Sequence, residues 1–187
     1  MLSSASWLKY SSKKEKILLS INSGQVDELH YCFKVFDGII GKYGIEKIKT
    51  IGDAYLAVAG LPNTDPDHAS KTVQAALEIR EFIHDRKKQM GSRSFDIRID
   101  IHSGSVAVSI VRVKKFAYDI WGDTVNTAAR MEQHSLPGQI NISEKTYELV
   151  KEAFAFTYRG EIEAKNKGLL KMYFVEKHMA AMAPILS

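Results

Sequence analysis

Phe95-Asp96-Ile97-Arg98-Ile99-Asp100-Ile101-His102 changes polarity at every step. Successive side chains of an extended strand point to opposite faces. Phe95, Ile97, Ile99 and Ile101 therefore share one apolar face, and Asp96, Arg98, Asp100 and His102 share a charged one. That is the pattern of a strand buried on one side only, and the sequence on either side supplies what covers it. Upstream, Val26, Leu29, Phe33, Phe36, Ile40 and Tyr43 recur at three- and four-residue steps. They predict an amphipathic helix over 26–43 with Cys32 in its stripe and Gly44 as its stop. Ile45 to Ile51 and Tyr55 to Ala59 are short β-prone runs joined at Gly52-Asp53, a predicted hairpin. Asp65-Pro66 opens a second helix, Asp65 serving as N-cap, with Val73, Ala76, Leu77 and Ile83 as its buried stripe.

Downstream, His102-Ser103-Gly104 is expected to turn the chain into a second apolar run, Val106 to Val113. A helix from Thr124 to about Gln133, a turn at Pro137-Gly138 and a strand from Gln139 to Ile142 follow. A short helix, Glu144 to Val150, and two strands, Phe154 to Ile162 and Leu169 to Val175, complete the chain. Helices alternate with hairpins and not with single strands, so the expected class is α+β and not a doubly wound parallel sheet.

The 187 residues fit one compact domain, large enough to bury roughly 70% of the unfolded surface without staples. A 45% hydrophobic, 26% charged composition excludes a disordered chain. Cys32 is the sole cysteine, so no internal disulfide forms. Met1 to Ser20 carries scattered lysines and lacks the apolar run of a signal peptide. No stretch is apolar enough to span a bilayer, and the expected location is cytoplasmic, with no membrane contact by this chain itself. Net charge is +4, with basic and acidic residues intermixed. Without stacking aromatics or zinc-finger spacing, nucleic acid is not the expected partner; a polyphosphate substrate accounts for the charge.

Gly38-Ile39-Ile40-Gly41-Lys42 has the wrong spacing for a P-loop and lies within a helical repeat. Phosphate chemistry is carried instead by two longer runs. One is Lys47-Ile48-Lys49-Thr50-Ile51-Gly52-Asp53-Ala54-Tyr55; the other runs from Tyr118-Asp119-Ile120-Trp121-Gly122 through Asn126 to Arg130-Met131. Both closely resemble the signature segments of class III adenylate and guanylate cyclases, in the same order, and the likeness extends over roughly Val26 to Val175.

That resemblance implies a ferredoxin-like βαββαβ core with additional strands, dimerising head to tail, with a site shared across the interface. It implies conversion of ATP to cyclic AMP and pyrophosphate, by attack of the 3′-hydroxyl on the α-phosphate between two Mg²⁺ or Mn²⁺ ions. Asp53 matches a metal-binding aspartate, although an Asp after Gly is also an ordinary turn former. Lys49 and Asp119 match the purine-reading positions. Adenine presents an acceptor at N1 and a donor at N6, so a cationic donor with an anionic acceptor selects it. Asn126 and Arg130, four apart on one helix face, match the ribose-orienting and charge-stabilising residues. Arg98 matches an arginine directed at the triphosphate. Lys167, with Lys165 as the alternative, matches a lysine that reaches the terminal phosphates.

The sequence also departs from the family. Its first strand normally delivers a second metal-binding aspartate, and Lys9 stands about where that carboxylate belongs. Asp100, Ser109 and Arg112 occupy positions that usually hold glycine; Asp100 could partly neutralise Arg98 or stand in as a ligand. The expected division is a degenerate or truncated first-strand segment over 1–24, a catalytic domain over 25–178 and a tail over 179–187. Two functional readings follow: an active adenylate cyclase, or a cyclase-like partner completing a site in a homodimer or heterodimer with another cyclase domain. An RNA-binding ferredoxin-like domain is the third class.

Overall fold

The computed structural model describes residues 3–11, 23–111, 117–121, 131, 135–164 and 168–178. The elements in chain order are β1 (Ser3–Ser11), α1 (Ser23–Lys42), β2 (Glu46–Ile51), β3 (Ala54–Ala59), α2 (His68–Met90), a 3₁₀ turn (Gly91–Arg93), β4 (Arg98–Val111), β5 (Ala117–Trp121), β6 (Ile140–Ser143), α3 (Glu144–Val150), β7 (Phe154–Ala164) and β8 (Gly168–His178). The sheet runs β2-β3-β1-β4-β6-β8-β7, and β5 pairs with the far part of β4. All neighbours are antiparallel except β4 and β6. The expected α+β class is what the structure shows.

The alternation forms a strand from Arg98 on, but Asp100 and His102 are buried as well as the isoleucines, so the strand is covered on both faces and not on one. Ile97, Ile99 and Ile101 are buried among Phe36 and Cys32 of α1, Val73, Ala76 and Ile79 of α2, and Ile140 and Ile142 of β6. The rings of Phe33, Phe36 and Tyr55 meet at 5.3–6.0 Å. Tyr55 is fully buried and donates to Asp37 Oδ1 at 2.5 Å, which satisfies its hydroxyl and, with desolvation as the larger cause, pushes its pKa upward. Helix α2 is tied to the sheet by Arg80, whose guanidinium donates to the carbonyls of Val175 and Glu176.

Two further expectations are corrected. His102-Ser103-Gly104 does not turn the chain: β4 continues through it, with His102, Ser103 and Gly104 opposite Trp7, Ser6 and Ala5 of β1. The long partner strand keeps the backbone extended despite the glycine. The second helix starts at His68, later than Asp65-Pro66 suggests, and its N-cap is Asp67. Asp65 forms a turn ahead of it, accepting from the Asp67 backbone at 2.9 Å and pairing with Lys71 at 2.7 Å.

Between α1 and α2, Arg86 donates twice to Glu28, at 2.8 and 2.7 Å. Glu28 is buried, and the hydrogen bonds from Arg86 hold its pKa below the ordinary 4.5. A depressed carboxylate pKa contributes stability at neutral pH that is lost as the pH falls through the folded-state value. Arg86→Met leaves this carboxylate buried without its fork and should cost roughly 3 kcal/mol. Thermal melts should show that loss at pH 7, and the difference between variant and wild type should shrink below about pH 4.

Candidate active site

The pairing of β1 with both neighbours gathers the candidate residues at one end of the sheet. Ser11 lies opposite Ala54 on one side and Arg98 on the other. The turn carrying Gly52, at φ 59°, and the exposed Asp53 therefore sits beside the start of β4. Arg98 is half-buried, and its Nε is enclosed with no hydrogen-bond partner among the described residues. Such a guanidinium keeps a donor in reserve at the end of the sheet.

Two residues further in, one row crosses five strands: Lys49 of β2, Leu56 of β3, Lys9 of β1, Asp100 of β4 and Asn141 of β6. Lys49 is exposed at the outer strand. Asp100 and Asn141 are fully buried. Asp100 Oδ1 accepts from Asn141 Nδ2 at 2.9 Å and from the Ser135 hydroxyl, and Ser135 in turn reaches the Met131 carbonyl at 3.1 Å. This network is not among the sequence-based expectations. Its signal was the polar phase of Ile140-Asn141-Ile142, but joining Asn141 to Asp100 required knowing that β6 runs parallel to β4.

Asp119 lies on β5 opposite Ser109, so it belongs to the arm formed by the far part of β4. Asn126, Arg130, Lys165 and Lys167 lie outside the described residues. Met131, next after Arg130, is buried with Ile162 of β7 and Met172 of β8, and anchors the end of the second signature segment against those strands.

The pair of divalent ions implied by the resemblance does not fit the donors among the described residues. Among the described residues, no group of three or more His, Cys, Asp or Glu side chains is arranged to hold a metal. Asp53 is one carboxylate on an exposed turn. Lys9 stands in the central strand, and an ammonium has donors but no acceptor for a cation. Asp100 is enclosed in the sheet, where its Oδ1 accepts from Ser135 and Asn141.

A family model described as the adenylate and guanylate cyclase catalytic domain matches residues 12–177. The chain belongs to this family. An adenylate cyclase of Mycobacterium tuberculosis is 34% identical over 152 residues, covering 81% of this chain and 34% of that protein. The receptor-type guanylate cyclase gcy-28 of Caenorhabditis elegans is 37% identical over 164 residues, covering 83% and 12%. The solved guanylate cyclase domain of RhGC from Catenaria anguillulae, in complex with GTP, superposes with a TM-score of 0.83 at 33% identity, covering 94% of this chain and 97% of that one. The chain thus spans about a third or less of the length of these two curated relatives. Both purine specificities occur among them, so kinship assigns a class III nucleotidyl cyclase domain and leaves the base to the residues that read it. No helix among the described residues is long and apolar enough to cross a membrane.

Cys32 takes no part in this chemistry. It is fully enclosed, and burial, reinforced by the Glu28 carboxylate, pushes its pKa to about 12. At pH 8 its thiolate fraction is on the order of 10³-fold below that of a free cysteine. Alkylation by iodoacetamide, followed by mass spectrometry, should therefore label Cys32 in urea and leave it unmodified in the folded cyclase domain.

Proposed function

We propose that this domain is of the adenylate cyclase type: it binds ATP as one half of a paired site forming cyclic AMP, and a partner cyclase domain supplies the metal-binding carboxylates. The observation that carries the reading is a division within the chain. Lys49 and Asp119 form the donor–acceptor pair that suits adenine N1 and N6, while the row that would need a metal carboxylate holds Lys9 instead.

The proposed roles rest on the match to the family's motifs and on the charge each residue carries. Lys49, exposed on β2, donates to the base, and Asp119, on the β4–β5 arm, accepts from its exocyclic amine. Guanine presents the opposite polarity at both edges, and a buried polar mismatch is costly. Arg98 directs its guanidinium at the triphosphate from the end of the sheet, with Lys167 at the terminal phosphates. Asn126 orients the ribose. Arg130 stabilises the negative charge that builds on the reacting phosphate, a task suited to a fixed, always-charged fork. Asp53 is the one matched metal position the chain retains.

The test uses the purified chain with ATP and Mn²⁺, alone and mixed with a relative's domain whose own purine-reading pair has been removed. Cyclic AMP should form in the mixture and be nearly absent with either component alone; turnover by this chain alone would refute the half-site. In the same mixture, Lys49→Glu with Asp119→Cys should lower the ATP/GTP rate ratio at least about tenfold. An unchanged ratio would remove the adenine assignment.

A further inference from the structure

We infer that Asp37 is a positioning residue for base recognition: it holds Lys47 on the helix side of β2 and so leaves Lys49 as the one β2 lysine on the opposite face. The two lysines are two residues apart, and a regular strand would turn both to the same side. β2 is not regular. Lys47 lies opposite Ala57 and Lys49 opposite Leu56, so Ile48 is an extra residue outside the register. One added residue makes a β-bulge, and it reverses the face of the strand on its far side. Ala57 belongs to the core under the helices, with Tyr55 and Ala59. Leu56 alternates with them and takes the other face.

The side chains agree with the register. Lys47 Nζ lies 2.9 Å from Asp37 Oδ1 and 3.0 Å from Oδ2, and 4.9 Å from the centroid of the Tyr55 ring. An ammonium over a tyrosine face adds a further attraction. Tyr55 donates to the same carboxylate at 2.5 Å. Asp37 of α1 therefore grips one residue from each strand of the hairpin. Lys49 is exposed and belongs to the row that continues through Leu56 to Asp100 and Asn141.

A competing register makes this grip necessary. The turn at Gly52-Asp53, with Gly52 at φ 59°, pins the far end of β2, so a slip is confined to the residues before Lys49. Without the bulge, Ile48 would lie opposite Ala57 and Lys47 opposite Val58. That pairing completes the ladder and sets a β-branched apolar residue against the core, which favours it. It would also bring the Lys47 ammonium onto the face of Lys49. Guanine presents an acceptor at O6, and a second ammonium beside the base would satisfy it and offset the mismatch with Asp119. The ion pair with Asp37 tips β2 to the bulged register and keeps that donor away. The functional meaning rests on the adenine-reading role proposed for Lys49. The register itself is measured without turnover, so the two can fail separately.

Asp37→Asn removes the charge that holds Lys47 and keeps an acceptor for Tyr55. The pair is partly exposed, so Tm should fall by less than about 4 °C. In NMR spectra of the full chain, cross-strand NOEs to Ala57 should come from Lys47 in the wild type and from Ile48 in the variant. An unchanged register would overturn the inference. In the mixture of this chain with a relative's domain, Asp37→Asn should lower the ATP/GTP rate ratio at least about threefold. Adding Lys47→Met, which removes the displaced ammonium, should restore the ratio; a merely structural role for Asp37 predicts no rescue, and a double variant as low as the single one would overturn the positioning role. Equal wild-type rates with ATP and GTP would overturn the adenine reading, and the NOE comparison would then decide the bulge by itself. Should Asp37→Asn not fold, Lys47→Glu, which Asp37 repels, carries the same register comparison with the same two outcomes.

Discussion

The arrangement depends on β1 being held between two antiparallel partners. Through Ser6 to Ser11 it pairs with β3, and through Ser3 to Ser11 with β4. Without those two ladders the β2–β3 hairpin would have no sheet to join, and Asp53 and Lys49 would not share a platform with Arg98. The strand contributes little chemistry of its own in this chain. Its work is geometric: it sets the distance from the hairpin turn to the start of β4 at one strand width on each side, which is about 10 Å in all. A nucleoside triphosphate site has to organise groups over that scale.

One face of the platform is occupied by the helices. The isoleucines of β4 and β6 pack against α1 and α2, and the Glu28–Arg86 fork joins the two helices with almost no exposure of the carboxylate. Packing of this kind makes the sheet stiff on the helix side and confines polar chemistry to the other face. The row through Lys49, Leu56, Asp100 and Asn141 lies out of phase with Tyr55, Ile99 and Ile140 of the neighbouring row, and the latter three are core residues. Alternation in a strand is therefore what separates the folding half of each sequence segment from its functional half.

That separation explains what could be read in advance. The hairpin at Gly52-Asp53 and the helix at Glu144 to Val150 depend on local periodicity and turn chemistry, and each forms where those signals lie, whereas the strand expected at 95–102 begins only at Arg98. The unbroken course of β4 through Ser103-Gly104 was not legible, because a glycine that permits a turn also permits an extended strand when a partner strand pairs with it. The cap at Asp65 was displaced because its carboxylate is used on Asp67 and Lys71. For the site, the first long motif singled out Lys49 and Asp53 as candidates, and the polar face of the 95–102 alternation singled out Arg98. The buried cluster of Asp100, Ser135 and Asn141 was not, since its members come from three places in the chain and meet only through tertiary pairing.

Lys9 and Asp100 look in the sequence like two independent losses, an acid turned basic and a glycine turned acidic. In the sheet the register of β1 on β4 sets the two positions opposite each other. Together they add one positive charge to the row, +2 at position 9 and −1 at position 100, which does not favour a cation there. Lys49 stays exposed on the outer strand of the same row. In the proposed half-site, where the site is divided between two domains, a weakened cation position falls on one half only.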